Sequence, residues 1–217
     1  MATMSTFLTM LPSSDAIFLN RELSLLKFNE RVMAMAENPM VPLLERLRYL
    51  CIVSSNLDEF FEIRVSSLKE QILQKNDHVG EDGFTPQQAF DKVQQAAHVL
   101  VDKQNKLLVH QVLPQLMEEG IGLLMPNTWT DEIRGWAYET FSREIMPLLT
   151  PIGLDPAHPF PRVYNKSLNF IIQLSGSDAF GRTGSIAIVQ APRALPRLIA
   201  VPPDIAGIPH GYMLLTS

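Results

Sequence analysis

Over its first 110 residues the chain places apolar side chains every three or four positions, and beyond about residue 147 that period gives way to short apolar runs cut by Gly, Pro and Asp. The change fixes the class: an all-helical N-terminal domain followed by a mixed α/β head domain with a largely antiparallel sheet, an α+β protein. Ser24 caps a helix near 25 to 37 whose stripe is Leu25, Phe28, Val32 and Met35, closed by Pro39. Pro42 opens a second helix with Leu43, Leu44, Leu47, Leu50 and Cys51, running to about Val53. The polar triplet Ser54-Ser55-Asn56 then breaks it. Asn56 caps a third helix, with Glu59 at capping-box spacing and Phe61, Val65, Leu68 and Ile72 as its buried stripe.

NDHVGEDGFT, between Asn76 and Thr85, reads as a surface loop. Thr85-Pro86-Gln87-Gln88 opens a long helix carrying Phe90, Val93, Ala97, Leu100, Val101, Leu107 and Leu108 towards Pro114. After Gly120 come a strand-like IGLLMP and a helix capped by Thr130 with Ile133, Ala137, Phe141 and Ile145. Four strands follow, near Leu168–Leu174, Ser185–Val189, Leu198–Val201 and Tyr212–Leu215. The expected division is a flexible arm over 1–19, a helical domain over 20–112 and a head domain over 113–217, the last ending on an apolar run as a truncated domain would.

The composition is that of a globular chain, with 46% hydrophobic and 19% charged residues among 217. A formal charge of −5 speaks against a generic nucleic-acid binder, which needs a net basic face. The single cysteine, Cys51, permits no internal disulfide, fits a reducing compartment, and reads as a small core residue. No Lys or Arg precedes Arg21, so the charged start of a secretory signal is missing, and no apolar run reaches the ~20 residues of a membrane span. The expected location is the cytoplasm, with peripheral membrane association left open.

Three stretches carry candidate chemistry. Gly176-Ser177-Asp178-Ala179-Phe180-Gly181-Arg182-Thr183 resembles a phosphate-binding loop with Arg for the lysine. The β-like SIAIVQ that follows lacks the helix such a loop needs, so a turn between strands is expected. Asp155 to Arg162 sets a carboxylate, His158 and a guanidinium among three prolines, but no second His or Cys stands at metal-ligand spacing, which favours a structural crossover. His78, His98, His110 and His210 are scattered and pair with no nucleophile pattern. The third stretch, SSNLDEFFEIR, leaves two readings open. Asn56 is a helix cap, or its amide, a donor and an acceptor at once, contacts a nucleotide.

RELSLLKFNERV, PLLERLRYLCIVSSNLDEFFEIRVSSLKEQI and LTPIGLDPAHPFPRVYNKSLNF closely resemble, in order over about residues 18 to 217, the N-terminal part of the long ATP-dependent polyphosphate kinases. NLDEFFEIR and DPAHPFP are the most specific blocks. The resemblance implies an enzyme histidine that takes a phosphoryl group from ATP and passes it to polyphosphate, with Mg2+ assisting. It places those histidines and the metal ligands outside this chain, in two C-terminal domains of phospholipase-D-like fold. It also implies ATP, ADP and inorganic polyphosphate as ligands, a homo-oligomer formed through the head domain, and Asn56 as the N-terminal ATP contact. Ser55 departs from members that carry a second asparagine there. The fragment would position nucleotide without performing the transfer; the alternative is a scaffold module with no nucleotide role.

Overall fold

Side-chain caps decide where two helices of the N-terminal half begin, those led by Asn20 and Thr85. The structure, a computed structural model, describes residues 18–154, 159–164, 166–176 and 186–217, so the Asp155–His158 cluster, most of the arm and all but Gly176 of the phosphate-loop-like stretch lie outside the described residues. Two compact units divide the chain, Met1–Glu118 and Glu119–Ser217.

In the first unit, α1 spans Arg21–Glu37 and is capped by Asn20, whose side chain accepts from the Leu23 amide, so the helix begins a turn earlier than Ser24 suggested. Asn20 is buried because Asp82, from the loop ahead of the long helix, accepts from its Nδ2 at 2.6 Å. The buried face of α1 is Leu26, Asn29, Met33 and Ala36, one position round from the expected stripe; Leu25, Phe28 and Met35 are exposed. Two apolar stripes run along this helix, and the core takes the one that contains an asparagine.

α2 covers Leu43–Glu59, with Pro42 at the cap position rather than the first helical one. It buries Arg46, Leu50, Val53 and Leu57, and leaves Cys51 exposed rather than in the core. The expected break at Ser54-Ser55-Asn56 does not occur. α2 runs through the triplet into a π-helical segment, Phe60–Val65, and on into α3, Ser66–Leu73. Three polar residues do not end a helix whose next turn buries Leu57, Phe60 and Val65, because packing outweighs modest differences in propensity. The wide turn shifts the stripe, so Phe60 is buried and Phe61, expected inside, is 42% exposed.

α4, Pro86–Leu107, carries the full capping box: Gln88 N–H donates to Thr85 Oγ1 and Thr85 N–H to Gln88 Oε1. Another π segment, Leu108–Val112, leads into α5, Leu113–Glu118, so helical structure continues past Pro114. A third π segment, Phe141–Ile145, follows α6, Asp131–Thr140, in the second unit. In each, an amide donates to the carbonyl five residues back: Ser66 to Phe61, Leu113 to Leu108, Met146 to Phe141. Two of the three end two residues before a proline, Pro114 and Pro147, whose ring would crowd the carbonyl four residues back in a regular α-helix. The wider turn relieves that crowding. At the first, Ser66 Oγ donates to the Glu62 and Ile63 carbonyls and draws them out of the ladder.

The second unit is built on two three-stranded sheets. In one, β1 (Ile121–Leu123) runs parallel to β6 (His210–Leu214), which pairs antiparallel with β5 (Leu198–Val201). In the other, β4 (Ile186–Gln190) lies between β2 (Pro151–Gly153) and β3 (Asn169–Gln173), both antiparallel to it. Ile186–Gln190, within the β-type sequence SIAIVQ, is thus a strand antiparallel to β3. The α6-side core gathers Leu124, Ile133, Val201 and Met213, with Trp129 and Trp136 packed on it and Trp129 Nε1 donating to the Leu124 carbonyl. A short helix, α7 (Pro203–Ala206), absent from the sequence reading, turns the chain from β5 to β6 and ends on Gly207 at φ 69. Gly211 faces it from β6: a Cβ there would lie 2.6 Å from Ala206 Cβ.

Candidate functional site

α1 packs against both α2 and α4, and one polar pair lies in the α1–α2 seam. Asn29 sits in the third turn of α1, 3% exposed among Leu26, Met33 and Ala36. An amide so deep needs partners, since an unmet buried polar group costs about 1–3 kcal/mol. Asn56, in the last turn of α2, donates from Nδ2 to Asn29 Oδ1 at 2.9 Å. Asn29 Nδ2 in turn donates to the Leu25 carbonyl, at a long 3.4 Å.

Asn56 is therefore not a helix cap. It is an interior residue of α2, and its carbonyl still accepts from Phe60 N–H across the junction where the π segment starts. Its side chain is half-buried, with Ser54, Ser55 and Glu59 exposed nearby in sequence. Among the described residues no donor reaches Asn56 Oδ1, and one of the two Nδ2 hydrogens remains after the bond to Asn29. The outcome is a carboxamide held in place by a buried neighbour, with one acceptor and one donor still to offer. Wide turns of this kind often accompany functional positions.

A second buried polar group stabilises the same unit. Arg46, 5% exposed, donates from Nε to the Ala36 carbonyl and from Nη1 to Gln115 Oε1, both at 2.7 Å. It satisfies one of the orphan carbonyls at the C-terminal end of α1 and ties α2 to α5. Gln104 Nε2 adds a bond to the Leu50 carbonyl at 2.9 Å. The sequence does not single out Asn29 and Arg46, because each stands off the apolar stripe expected to face the core. The available signal was the wholly polar residue in an i, i+3, i+7 series with Leu26, Met33 and Ala36.

The other candidates are not brought together. His78, His98, His110 and His210 are all exposed and distant in sequence from Asn56, and His158 falls outside the described residues. Among the described residues no group of three or more His, Cys, Asp or Glu side chains could hold a metal ion, and no helix is long and apolar enough to cross a membrane.

Comparison with known proteins assigns this architecture. The model of the polyphosphate kinase N-terminal domain matches residues 18–124, and that of the polyphosphate kinase middle domain matches 132–217. The chain is 55% identical over 199 residues to polyphosphate kinases of Burkholderia lata and Burkholderia ambifaria, covering 92% of this chain and 29% of theirs. It is 53% identical over the same length to the polyphosphate kinase of Paraburkholderia phytofirmans. The crystal structure of polyphosphate kinase from Porphyromonas gingivalis superposes with a TM-score of 0.73 at 26% identity, over 94% of this chain and 29% of that one. The chain thus spans less than a third of the length of these relatives. With the N-terminal and middle domain models matched in sequence and the fold matched in structure, the chain belongs to the polyphosphate kinase family.

Proposed function

We infer that this chain is the nucleotide-positioning and assembly portion of an enzyme that moves the terminal phosphoryl group of ATP to polyphosphate through a phosphohistidine. Asn56 is its contact with the nucleotide. The observation that supports the reading is the state of the Asn56 carboxamide: fixed by Asn29, with an acceptor and a donor left over. An adenine edge offers the complementary pair, an exocyclic amino donor beside a ring-nitrogen acceptor, and an asparagine amide meets both at once. Phosphoryl transfer depends chiefly on positioning and charge neutralisation, so a domain remote from the transferred group contributes by fixing the nucleotide. Mg2+ belongs to this reading, but the described residues do not form a site for it, and its ligands are assigned outside this chain. The cytoplasm, where ATP is plentiful, is the compartment that fits.

The test uses the complete enzyme. Asn56→Ala, assayed well below its melting temperature, should raise the KM for ATP by about tenfold, the value of one or two lost hydrogen bonds. Wild-type ATP kinetics in that variant would remove the contact.

A second reading, assembly, is favoured by the sheet β2-β4-β3. Ile152, Ile188 and Ile171 stand in register across it, and Ile171, on the edge strand, is 73% exposed; Phe170 and Ile172 are exposed on the other face. Ile188, on the central strand, is buried, so the exposure lies on the edge strands, where apolar residues invite a partner. The occupant assigned here is a second copy of the chain, giving a homo-oligomer through the head domain.

A further inference from the structure

The hydrogen bonds around Asn29 run in one direction, and that direction is set by a group that cannot be reversed. A backbone carbonyl only accepts. Asn29 Nδ2 donates to the Leu25 carbonyl one helical turn back, so the Asn29 amide presents its oxygen on its other side, where Asn56 Nδ2 donates to it at 2.9 Å. The relay from Asn56 through Asn29 to Leu25 therefore fixes which end of the Asn56 carboxamide is nitrogen and which is oxygen. Turning the Asn56 amide over would set its Oδ1 against Asn29 Oδ1, two acceptors facing each other beside a residue 3% exposed. The backbone of Asn56 gives no other route to reversal, because it is held inside α2 with its carbonyl accepting from Phe60 N–H.

Packing alone does not require an asparagine at this place. Leu26, Met33 and Ala36 share the buried face of α1 with it, and a matched apolar pair across the seam would leave no polar group unmet. What Asn29 adds is a fixed polarity for the amide in front of it. The half-buried side chain of Asn56 keeps Oδ1 as an acceptor and one Nδ2 hydrogen as a donor, in an order that Asn56 does not set by itself. Purines differ in the group that such an order reads. At position 6 adenine carries an amino donor, and guanine carries an oxygen acceptor. An amide free to turn over meets either base, with its oxygen on the first and its nitrogen on the second. A locked amide meets the amino group with its oxygen and opposes the guanine oxygen with the same atom, leaving a repulsion in place of a hydrogen bond.

We propose that Asn29 is a positioning residue that sets base specificity: by locking the Asn56 amide from behind, it makes the site select a 6-amino purine nucleotide over a 6-oxo one. This role rests on the reading of Asn56 as the nucleotide contact, and it assigns the selectivity to a buried residue that acts only through Asn56.

The test compares steady-state kinetics with ATP and with GTP on the complete enzyme and on four variants: Asn29→Leu, Asn29→Asp, Asn56→Ala and the double variant Asn29→Leu/Asn56→Ala. Each is assayed below the melting temperature found in its own thermal scan, and Asn29→Ala replaces Asn29→Leu if the latter does not fold. The wild type should favour ATP in kcat/KM. Asn29→Leu removes the acceptor and frees the amide, so the ATP-to-GTP ratio of kcat/KM should fall by about tenfold, through KM and not kcat. Asn29→Asp keeps an oxygen towards Asn56 but loses the donor to the Leu25 carbonyl. Its melting temperature should drop while its ATP-to-GTP ratio stays within about twofold of the wild type, a split that a purely structural asparagine would not produce. The double variant should show the ratio of Asn56→Ala alone, since Asn29 has no separate path to the base. A wild type without preference for ATP, an unchanged ratio in the Asn29→Leu position, a ratio that falls with stability in Asn29→Asp, or additive losses in the double variant overturns the proposal. If Asn56→Ala still raises the KM for ATP in that case, the nucleotide contact stands without it. Wild-type ATP kinetics in Asn56→Ala overturns the contact and the proposal together.

Discussion

Asn56 Nδ2 donates to Asn29 Oδ1 across the seam between α1 and α2, at 2.9 Å, and this bond joins the residue proposed to contact the nucleotide to a residue 3% exposed in the core. Two consequences follow for substitutions. Asn56→Asp puts a carboxylate against the Asn29 oxygen and removes its donor, so it should destabilise by about 1–3 kcal/mol, where a cap residue would have tolerated aspartate. Replacing both asparagines by leucine should cost much less than the sum of the two single changes, since the double variant leaves no orphaned buried group. Urea unfolding of the four proteins checks both statements; additive single effects would show that the bond carries no coupling.

Arg46 should be among the most sensitive positions of the helical unit. Arg46→Ala leaves the Ala36 carbonyl and Gln115 Oε1 without their donor and removes a buried stem, for an expected loss of roughly 2–4 kcal/mol. Arg46→Lys, with a single ammonium that cannot span both acceptors, should recover only part of it. Thermal denaturation that fails to rank wild type above lysine above alanine contradicts this role.

No catalytic histidine is assigned to this chain. His78, His98, His110 and His210 are exposed, and among the described residues no hydrogen bond orients them as a nucleophile requires. Incubated with γ-labelled ATP, the 217-residue chain should retain no label that survives alkali and is lost in acid. Retained label of that kind would place a phosphorylated histidine within it.

The exposed edge strands carrying Ile152, Ile171, Phe170 and Ile172 predict self-association. Ile171→Lys, on the most exposed strand position, should shift sedimentation of the chain at micromolar concentration towards monomer without lowering its melting temperature. A wild-type chain that sediments as a monomer at those concentrations refutes the assembly.

Much of the fold was legible because caps and periods are local. Thr85 and Thr130 are the caps the residues announced, with their amides bound as expected, and the run Leu198–Val201 is a strand with those same limits. What could not be read is which of two adjacent stripes a helix buries. Along α1, Leu25, Phe28, Val32 and Met35 form the better apolar series, yet Asn29 goes inside because α2 supplies Asn56 to meet it. That partner is 27 residues away, and no local rule contains it. The same limit explains the missed continuity of α2: Ser54-Ser55-Asn56 is locally a good break, and only the burial of Leu57, Phe60 and Val65 keeps the helix going. Family resemblance pointed to Asn56, and nothing local pointed to its environment.

The three wide turns give these helices a property that regular ones lack. Each holds one residue more than an α-turn and absorbs it: removing a single residue from Phe60–Val65 would return the ladder to four-residue spacing and leave everything after it on the face it now presents. Leu68 would stay in the interior, whereas the same deletion in a regular turn of α2 would swing it by ~100°. Chain length at these three points is therefore buffered: a residue can be lost there without changing which face of the following segment meets its surroundings.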